Sequence, residues 1–440
     1  MNRVIPRRAL LFKLRNGLEH NPPVAYKTVF LGEALSIFDA AGWAHEVVDL
    51  DDLTISLTDV IAKLATRPDA VLLWCDVHQA RLARQLAECA RSACPAARIF
   101  VYGRATSFIP QYFEREPFDL IHVSGDREAA IASLIDAVDN AYSGVAGCAV
   151  RGPDGSYHRV PGKLLSPAHW PYPLLDRSTL ETYRRLTLEQ HPEGYTPRVS
   201  VTVSKGCELS CSYCDAWREE GRKDRRRPIE PLLDWLCDLT LPNRDTLLHL
   251  FASDLFIDQA WITEFSEVLR ARRPDLRWRG VTTTRALLDR RTVLAAGRGG
   301  CTELAVGIET IDSRKLVSAK SSLDEIRRAA GNCAEAGIAL KGLVMLGYPK
   351  QTEDDVHFIE EFADTLGMTI RYTGYTPLHR LSRLSMAELD ALAIEAYDRR
   401  TFFDPGKTAL PADFFYGRIT RDGGYYRPSE RVADMRSLAG

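Results

Sequence analysis

The chain has 440 residues, 45% hydrophobic and 26% charged, the balance of a globular protein long enough for roughly two to three domains. A formal net charge of −2 gives no basis for nucleic acid or an anionic membrane as the main partner. The basic start Met1–Arg8 has no long apolar segment behind it, so it does not read as a signal peptide, and no apolar run reaches the ~18–20 residues that span a bilayer. A cytoplasmic location is expected.

The first 142 residues alternate strands and helices, the pattern of a parallel α/β sheet. Strands are predicted at Ala9–Leu14, Glu46–Leu50, Ala70–Cys75, Arg98–Tyr102 and Leu120–Val123. Helical spacing runs from Val29 to Ala41, from Gln79 to Cys94 with Leu82, Leu86, Cys89 and Ala90 on one face, and from the turn Ser124–Glu128 to Ala137. Residues 143–197 are rich in proline, which fixes φ, and read as an extended strap. From 198 to 380 alternation resumes at longer spacing. Strands are predicted at Val199–Val203, Leu247–Phe251, Trp278–Thr283, Glu303–Gly307, Ala339–Leu346 and Thr369–Tyr372. Residues 381–440 form a polar extension with paired aromatics, placed either as a cap on the barrel or on its outside.

Ten cysteines divide into two groups. Seven are scattered, mostly within apolar patterns (Cys75, Cys89, Cys94, Cys148, Cys237, Cys301 and Cys333), and read as buried free thiols. The other three, Cys207, Cys211 and Cys214, stand at C-x-x-x-C-x-x-C spacing just after a strand. A zinc site wants four ligands, usually as two pairs, and a redox site would be a lone C-x-x-C. Three thiolates on one tight loop can instead hold three irons of a four-iron four-sulfur cluster. No fourth cysteine or histidine stands nearby, which leaves one iron open to an outside ligand.

This cysteine motif resembles that of the radical S-adenosylmethionine (SAM) enzymes. The resemblance implies a [4Fe–4S] cluster and SAM as cofactors. The open iron would bind SAM, and one electron would cleave it to methionine and a 5′-deoxyadenosyl radical that removes a hydrogen atom from the substrate. It also implies an α/β fold: an N-terminal Rossmann-like parallel sheet, then a partial (β/α)6 barrel. The N-terminal order resembles the cobalamin-binding domain of one large class of these enzymes. Asp76-Val-His78-Gln-Ala-Arg81 only partly matches that class's D-x-H-x-x-G motif. It follows the wrong strand and has Arg81 for the glycine, so His78 reads as a surface residue at a helix start.

The resemblance further implies the site residues. Tyr213, before the last cluster cysteine, would lie near the adenine of SAM. Ser253 and Asp254 follow the second barrel strand, where the SAM amino group is received, Asp254 being alternatively a helix cap. Thr284 follows the third strand and would also contact the cofactor. Glu309, in Gly307-Ile-Glu309-Thr310, would face SAM or the substrate unless it merely pairs with a barrel arginine such as Arg285. Lys320 and the turn at Gly347 match further cofactor positions. Glu309, Asp254, Tyr372, Tyr375 and His379 are expected at the barrel mouth as catalytic residues. The reaction expected is a cobalamin-free radical deoxygenation of a small molecule, a cationic amino-sugar in antibiotic biosynthesis being the class that mouth carboxylates suit. The alternative is a cobalamin-dependent radical SAM methyltransferase. Either needs an electron donor of flavodoxin or ferredoxin type.

Overall fold

The computed structural model describes residues 7–14, 31–50, 52, 54–137, 144–175, 180, 198–239, 246–312, 317–318, 320–399, 401–420 and 424–428. They fall into two compact units, one of residues 1–186, 208–225 and 377–397, the other of 187–207, 226–376 and 398–440.

The first unit is built on a seven-stranded sheet: β1 (Arg8–Lys13), β2 (Ala44–Asp49), β3 (Ala70–Trp74), β4 (Arg98–Tyr102), β5 (Leu120–His122), β6 (Cys148–Arg151) and β7 (Tyr157–Arg159). Its order is β2-β1-β3-β4-β5-β6-β7. The first five strands are parallel and the last two antiparallel. The order reverses between β1 and β3, the switch point of a doubly wound sheet. β3 is a near-continuous apolar run because both faces are covered. Leu10, Phe12, Val71, Leu73, Ile99 and Val101 enter one core, while Ala9, Leu11, Ala70, Leu72, Phe100 and Tyr102 enter the other. Helix α1 (Gly32–Ala40) covers the second face, and α2 (Leu57–Leu64) and α3 (Ala80–Ala93) the first. The buried face of α3 is Ala80, Ala83, Leu86, Ala87 and Ala90. Cys89, expected on that face, is exposed: small residues let the helix lie close to the sheet on a face rotated from the predicted one.

Two predicted boundaries differ. The proline-rich segment is more than a connecting strap: β6 and β7 within it are extended as expected but pair into the first sheet, and Pro167–His169 makes a 3-10 turn. Residues 377–397, expected to be split between barrel and extension, pack in the first unit. Leu378, Leu381, Leu389 and Ile394 enter its core, and Asp390 pairs with Arg115 at 2.9 Å.

The second unit is also built on a sheet: β8 (Arg198–Thr202), β9 (Leu247–Phe251), β10 (Trp278–Thr282), β11 (Cys301–Glu309), β12 (Ala339–Leu346) and β13 (Thr369–Gly374), in that spatial order. These six are parallel. β14 (Tyr425–Tyr426), from the C-terminal extension, pairs antiparallel with β13. The sheet therefore ends at two edges rather than closing on itself. One face is covered by helices: Trp278 packs edge-to-face on Phe265 of the helix Gln259–Arg272, with ring centroids 6.0 Å apart. The other face carries the half-exposed residues His249, Phe251, Val281, Leu343, Met345, Arg371 and Thr373. The helices that cover the sheet start at sequence-local signals, such as the capping boxes Ser322/Glu325 and Thr352/Asp355. The helix Ala412–Thr420 packs on the outer helix Glu353–Leu366 through Arg418–Glu360 and His357–Phe414. Of the two placements considered for the extension, this part takes the outside one.

Candidate active site

Strand β8 leads directly to the cysteine loop. Cys207 closes one segment of the second unit and is 8% exposed, while Cys211 and Cys214 lie in the first unit and are partly exposed. All three are free thiols. The carbonyl of Cys211 accepts from the Cys214 N–H at 3.1 Å and from Trp217 Nε1 at 3.0 Å, which shapes the loop's second half. The guanidinium groups of Arg218 and Arg222 lie over the Trp217 ring, at 4.1 and 4.6 Å. Tyr213 is half-buried in this loop. Among the described residues no group of three or more His, Cys, Asp or Glu side chains already stands as a metal cage.

Asp215, next in the chain, is 1% exposed and is held by Arg104 Nη2 at 3.0 Å, with Glu219 3.6 Å from the same guanidinium. These ion pairs tie the residue after the cysteine loop to the helix that follows β4. Nothing local in the sequence links residues 104 and 215. His379 also belongs to the first unit. Burial and then the charge of Arg218 lower its pKa from 6.5, leaving a neutral imidazole at neutral pH. It was expected beside Tyr372 and Tyr375, but it packs with the segment 377–397 instead.

The remaining candidates stand at the carboxyl ends of β9 to β13, where barrel chemistry gathers. Asp254 is 4% exposed. Its Oδ1 accepts from the Thr282 hydroxyl at 2.6 Å and its Oδ2 from the Thr283 hydroxyl at 3.0 Å. The following helix is capped by Asp258, not Asp254. Asp254 therefore ties β9 to β10, and the neighbouring Ser253 is half-buried. Thr284 is 2% exposed and its hydroxyl has no hydrogen-bond partner among the described residues, a buried polar group that a ligand would satisfy.

Glu309 ends β11 at an irregularity in the pairing with β12, with φ +64°, a left-handed conformation uncommon for a non-glycine residue. Its carboxylate meets Lys320 Nζ at 2.7 Å. The space is supplied by Gly307, where a Cβ would stand 2.4 Å from Glu309 Oε1 and 2.8 Å from Lys320 Nζ. Arg285, the alternative partner, pairs with Glu325 instead. Gly347, at φ +79°, donates its N–H to Gln351 Oε1 at 3.0 Å. Gln351 Nε2 in turn donates to Thr310 Oγ1 and the Met345 carbonyl, both at 3.0 Å. This buried amide stitches the ends of β11 and β12 and had no signal in the sequence.

Tyr372 does not face the mouth. It alternates with the half-exposed Arg371 and Thr373, is 4% exposed, and donates to Glu360 Oε1 of an outer helix at 2.7 Å. Burial and that carboxylate raise its pKa well above the usual phenol range. Tyr375 sits past the strand end, its ring packed on Tyr348 with centroids 5.1 Å apart.

Comparison with known proteins agrees with this geometry. Residues 201–363 match the model of the radical SAM superfamily. An uncharacterized methyltransferase of Pyrococcus horikoshii is 22% identical over 76% of this chain and 72% of its own length. The hopanoid C-3 methylase of Methylococcus capsulatus is 24% identical over 68% of this chain and 57% of its own. Among solved structures, the radical SAM methyltransferase TsrM from Kitasatospora setae, bound to cobalamin and a [4Fe–4S] cluster, is 19% identical with a TM-score of 0.65, covering 85% of this chain and 74% of that one. The cobalamin-dependent SAM radical enzyme OxsB is 16% identical with a TM-score of 0.67, covering 99% and 61%. No helix among the described residues is long and apolar enough to cross a membrane. Residues 201–363, from the strand that leads into the cysteine loop through the parallel strands that follow, are thus a radical SAM domain, and the chain shares the fold of solved cobalamin-dependent radical SAM enzymes.

Proposed function

We propose that the chain is a cobalamin-dependent radical SAM methyltransferase acting on a small molecule. The supporting observation is that relatives matching most of the chain, across both units, are methyltransferases. The expected deoxygenation of an amino-sugar has no counterpart among them, so the alternative reading takes its place.

In this reading Cys207, Cys211 and Cys214 hold the cluster. The donor set fits: three unbridged soft thiols on one loop, with no further cysteine close in sequence. The first sheet also offers groups suited to a large polar ligand. At the carboxyl ends of β4 and β5, Tyr102 Oη and His122 Nε2 are buried without hydrogen-bond partners among the described residues. When bound, the cluster supplies the electron that cleaves SAM, and cobalamin supplies a carrier for the methyl group. This chain's residues then do the binding. Glu309, paired with Lys320, and the Thr284 hydroxyl are polar contacts for SAM, with Ser253, Tyr213 and the backbone of Gly347 around it. The neutral His379 is suited to accept a proton. Asp254 positions β9 and β10 through its two threonines. Tyr375 is the remaining mouth residue available to substrate, and a flavodoxin or ferredoxin would donate the electron.

The test is anaerobic reconstitution with iron and cobalt analysis, followed by turnover with methyl-deuterated SAM and a candidate acceptor. Bound cobalamin, a labelled methylated product and S-adenosylhomocysteine are expected. Protein that binds no cobalamin and releases only methionine and 5′-deoxyadenosine would return the reaction to the cobalamin-free class. His78→Ala should leave the cobalamin spectrum unchanged.

A further inference from the structure

The half-exposed face of the second sheet carries charge that the chemistry above does not use. Arg198 on β8, Arg279 on β10, Lys341 on β12 and Arg371 on β13 act electrostatically on one another and on Tyr425 of β14. Glu303 on β11 meets two of them, Arg279 Nη2 and Lys341 Nζ, each at 2.9 Å. Among the described residues it is the carboxylate paired with either. Arg371 donates to the Tyr425 hydroxyl at 2.7 Å, and Arg371 and Lys341 each lie 5.1 Å from that ring's centre. Arg279 is 7% exposed, and its Nε has no hydrogen-bond partner among the described residues. The neighbouring His249 Nε2 is likewise buried, with no hydrogen-bond partner among the described residues.

This arrangement is electrostatically costly as it stands. Burial and then Arg198 lower the pKa of Arg279. Burial and then Arg279, Arg198 and Lys341 keep His249 neutral. Burial works to raise Tyr425, but Arg371, Lys341, Arg198 and Arg279 outweigh it and lower its pKa. Clustered cations sharing a carboxylate, with buried donors left over, are what an oxyanion would satisfy. The residues beside them on the same face, Phe251, Val281, Leu343 and Met345, are only half-buried, so the face is reachable by solvent.

We propose that Arg279, Lys341, Arg371 and His249 form an oxyanion-binding subsite on this face, which holds a carboxylate or phosphate group of the substrate. Binding of an anion there stands on the geometry alone; its use for substrate rests on the methyltransferase reading. Arg279 lies four residues before Thr283, and Lys341 four before Met345. At ~3.3 Å per residue the subsite is about 13 Å from the strand ends where SAM would bind. The substrate is thus an elongated molecule with its anionic group at the end opposite the methylated carbon. The expectation of an amino-sugar cation is replaced accordingly.

The test is thermal unfolding of the reconstituted holoenzyme with inorganic phosphate or acetate, each against sodium chloride of equal ionic strength. At least one anion should raise the midpoint in a saturable way. Phosphate alone points to a phosphate ester and acetate alone to a carboxylate. Arg279→Gln or Arg371→Gln should weaken the apparent affinity on the order of tenfold. Should Arg279→Gln not fold, Arg371→Gln carries the test, because that side chain is only half-buried. Two results overturn the subsite: no anion exceeds chloride, or the response survives undiminished in both variants. Anion binding without methyl transfer would instead fault the proposed reaction and leave the subsite standing.

Discussion

Replacing Glu309 with Gln keeps the shape of the side chain and removes its charge. The pair it breaks is well defined: 2.7 Å to Lys320 Nζ, with side chains 11% and 23% exposed. Both groups are largely out of water, so solvent screens them less than a surface pair. Loss of one charge-assisted hydrogen bond is worth about 1.5–3 kcal/mol. For a chain of 440 residues unfolding as one, at about 2.1 cal/mol/K per residue, that corresponds to a fall in thermal midpoint of roughly 2–3 °C. The informative assay is a double-mutant cycle of Glu309→Gln, Lys320→Gln and both, with cluster content, denaturant unfolding and 5′-deoxyadenosine release measured on one preparation. If the pair exists, the double variant should cost less than the sum of the singles by about 1 kcal/mol or more. If the carboxylate also contacts SAM, Glu309→Gln should lose release by roughly ten- to hundredfold beyond its stability effect. Additivity of the singles within about 0.5 kcal/mol would refute the pairing. A lowered midpoint with normal release would refute the cofactor contact.

Three further outcomes are expected. Cys207→Ala, Cys211→Ala or Cys214→Ala should each strip the cluster and abolish SAM cleavage, whereas Cys89→Ser and Cys333→Ser leave iron content unchanged; a full cluster in any of the first three defeats the assignment. Asp254→Ala leaves the buried Thr282 hydroxyl without its acceptor, a loss of about 1–3 kcal/mol by urea denaturation; an unchanged unfolding curve would show that the tie between β9 and β10 is not needed. Burial, then Arg127, pushes His122 from 6.5 down to about 4. The unfolded chain then binds the extra proton, so this contribution is present above about pH 6.5 and is lost as pH falls towards 4, by up to about 3 kcal/mol. His122→Gln should flatten that slope in denaturant titrations; an identical slope in variant and wild type would rule the histidine out.

Most of the architecture could be read from local pattern. The apolar run Ala70–Trp74 and the strands at 247–251 and 339–346 lie where alternation and turn residues put them, because strand formation there depends on what each segment buries. The cysteine loop was legible because metal ligation by three thiolates constrains spacing along the chain itself. What remained hidden depends on partners far apart in sequence. The face to which Tyr372 points follows from strand register. The choice of Lys320 over Arg285 for Glu309 follows from the bulge after Gly307. His379 and the segment around it join the first unit because their apolar residues find its core, and Arg104 reaches Asp215 across 111 residues. The cations on β8, β10, β12 and β13 look unrelated in the sequence. Only parallel pairing at fixed register brings them onto one face, because residues two apart along a strand share a side and neighbouring strands hold them abreast.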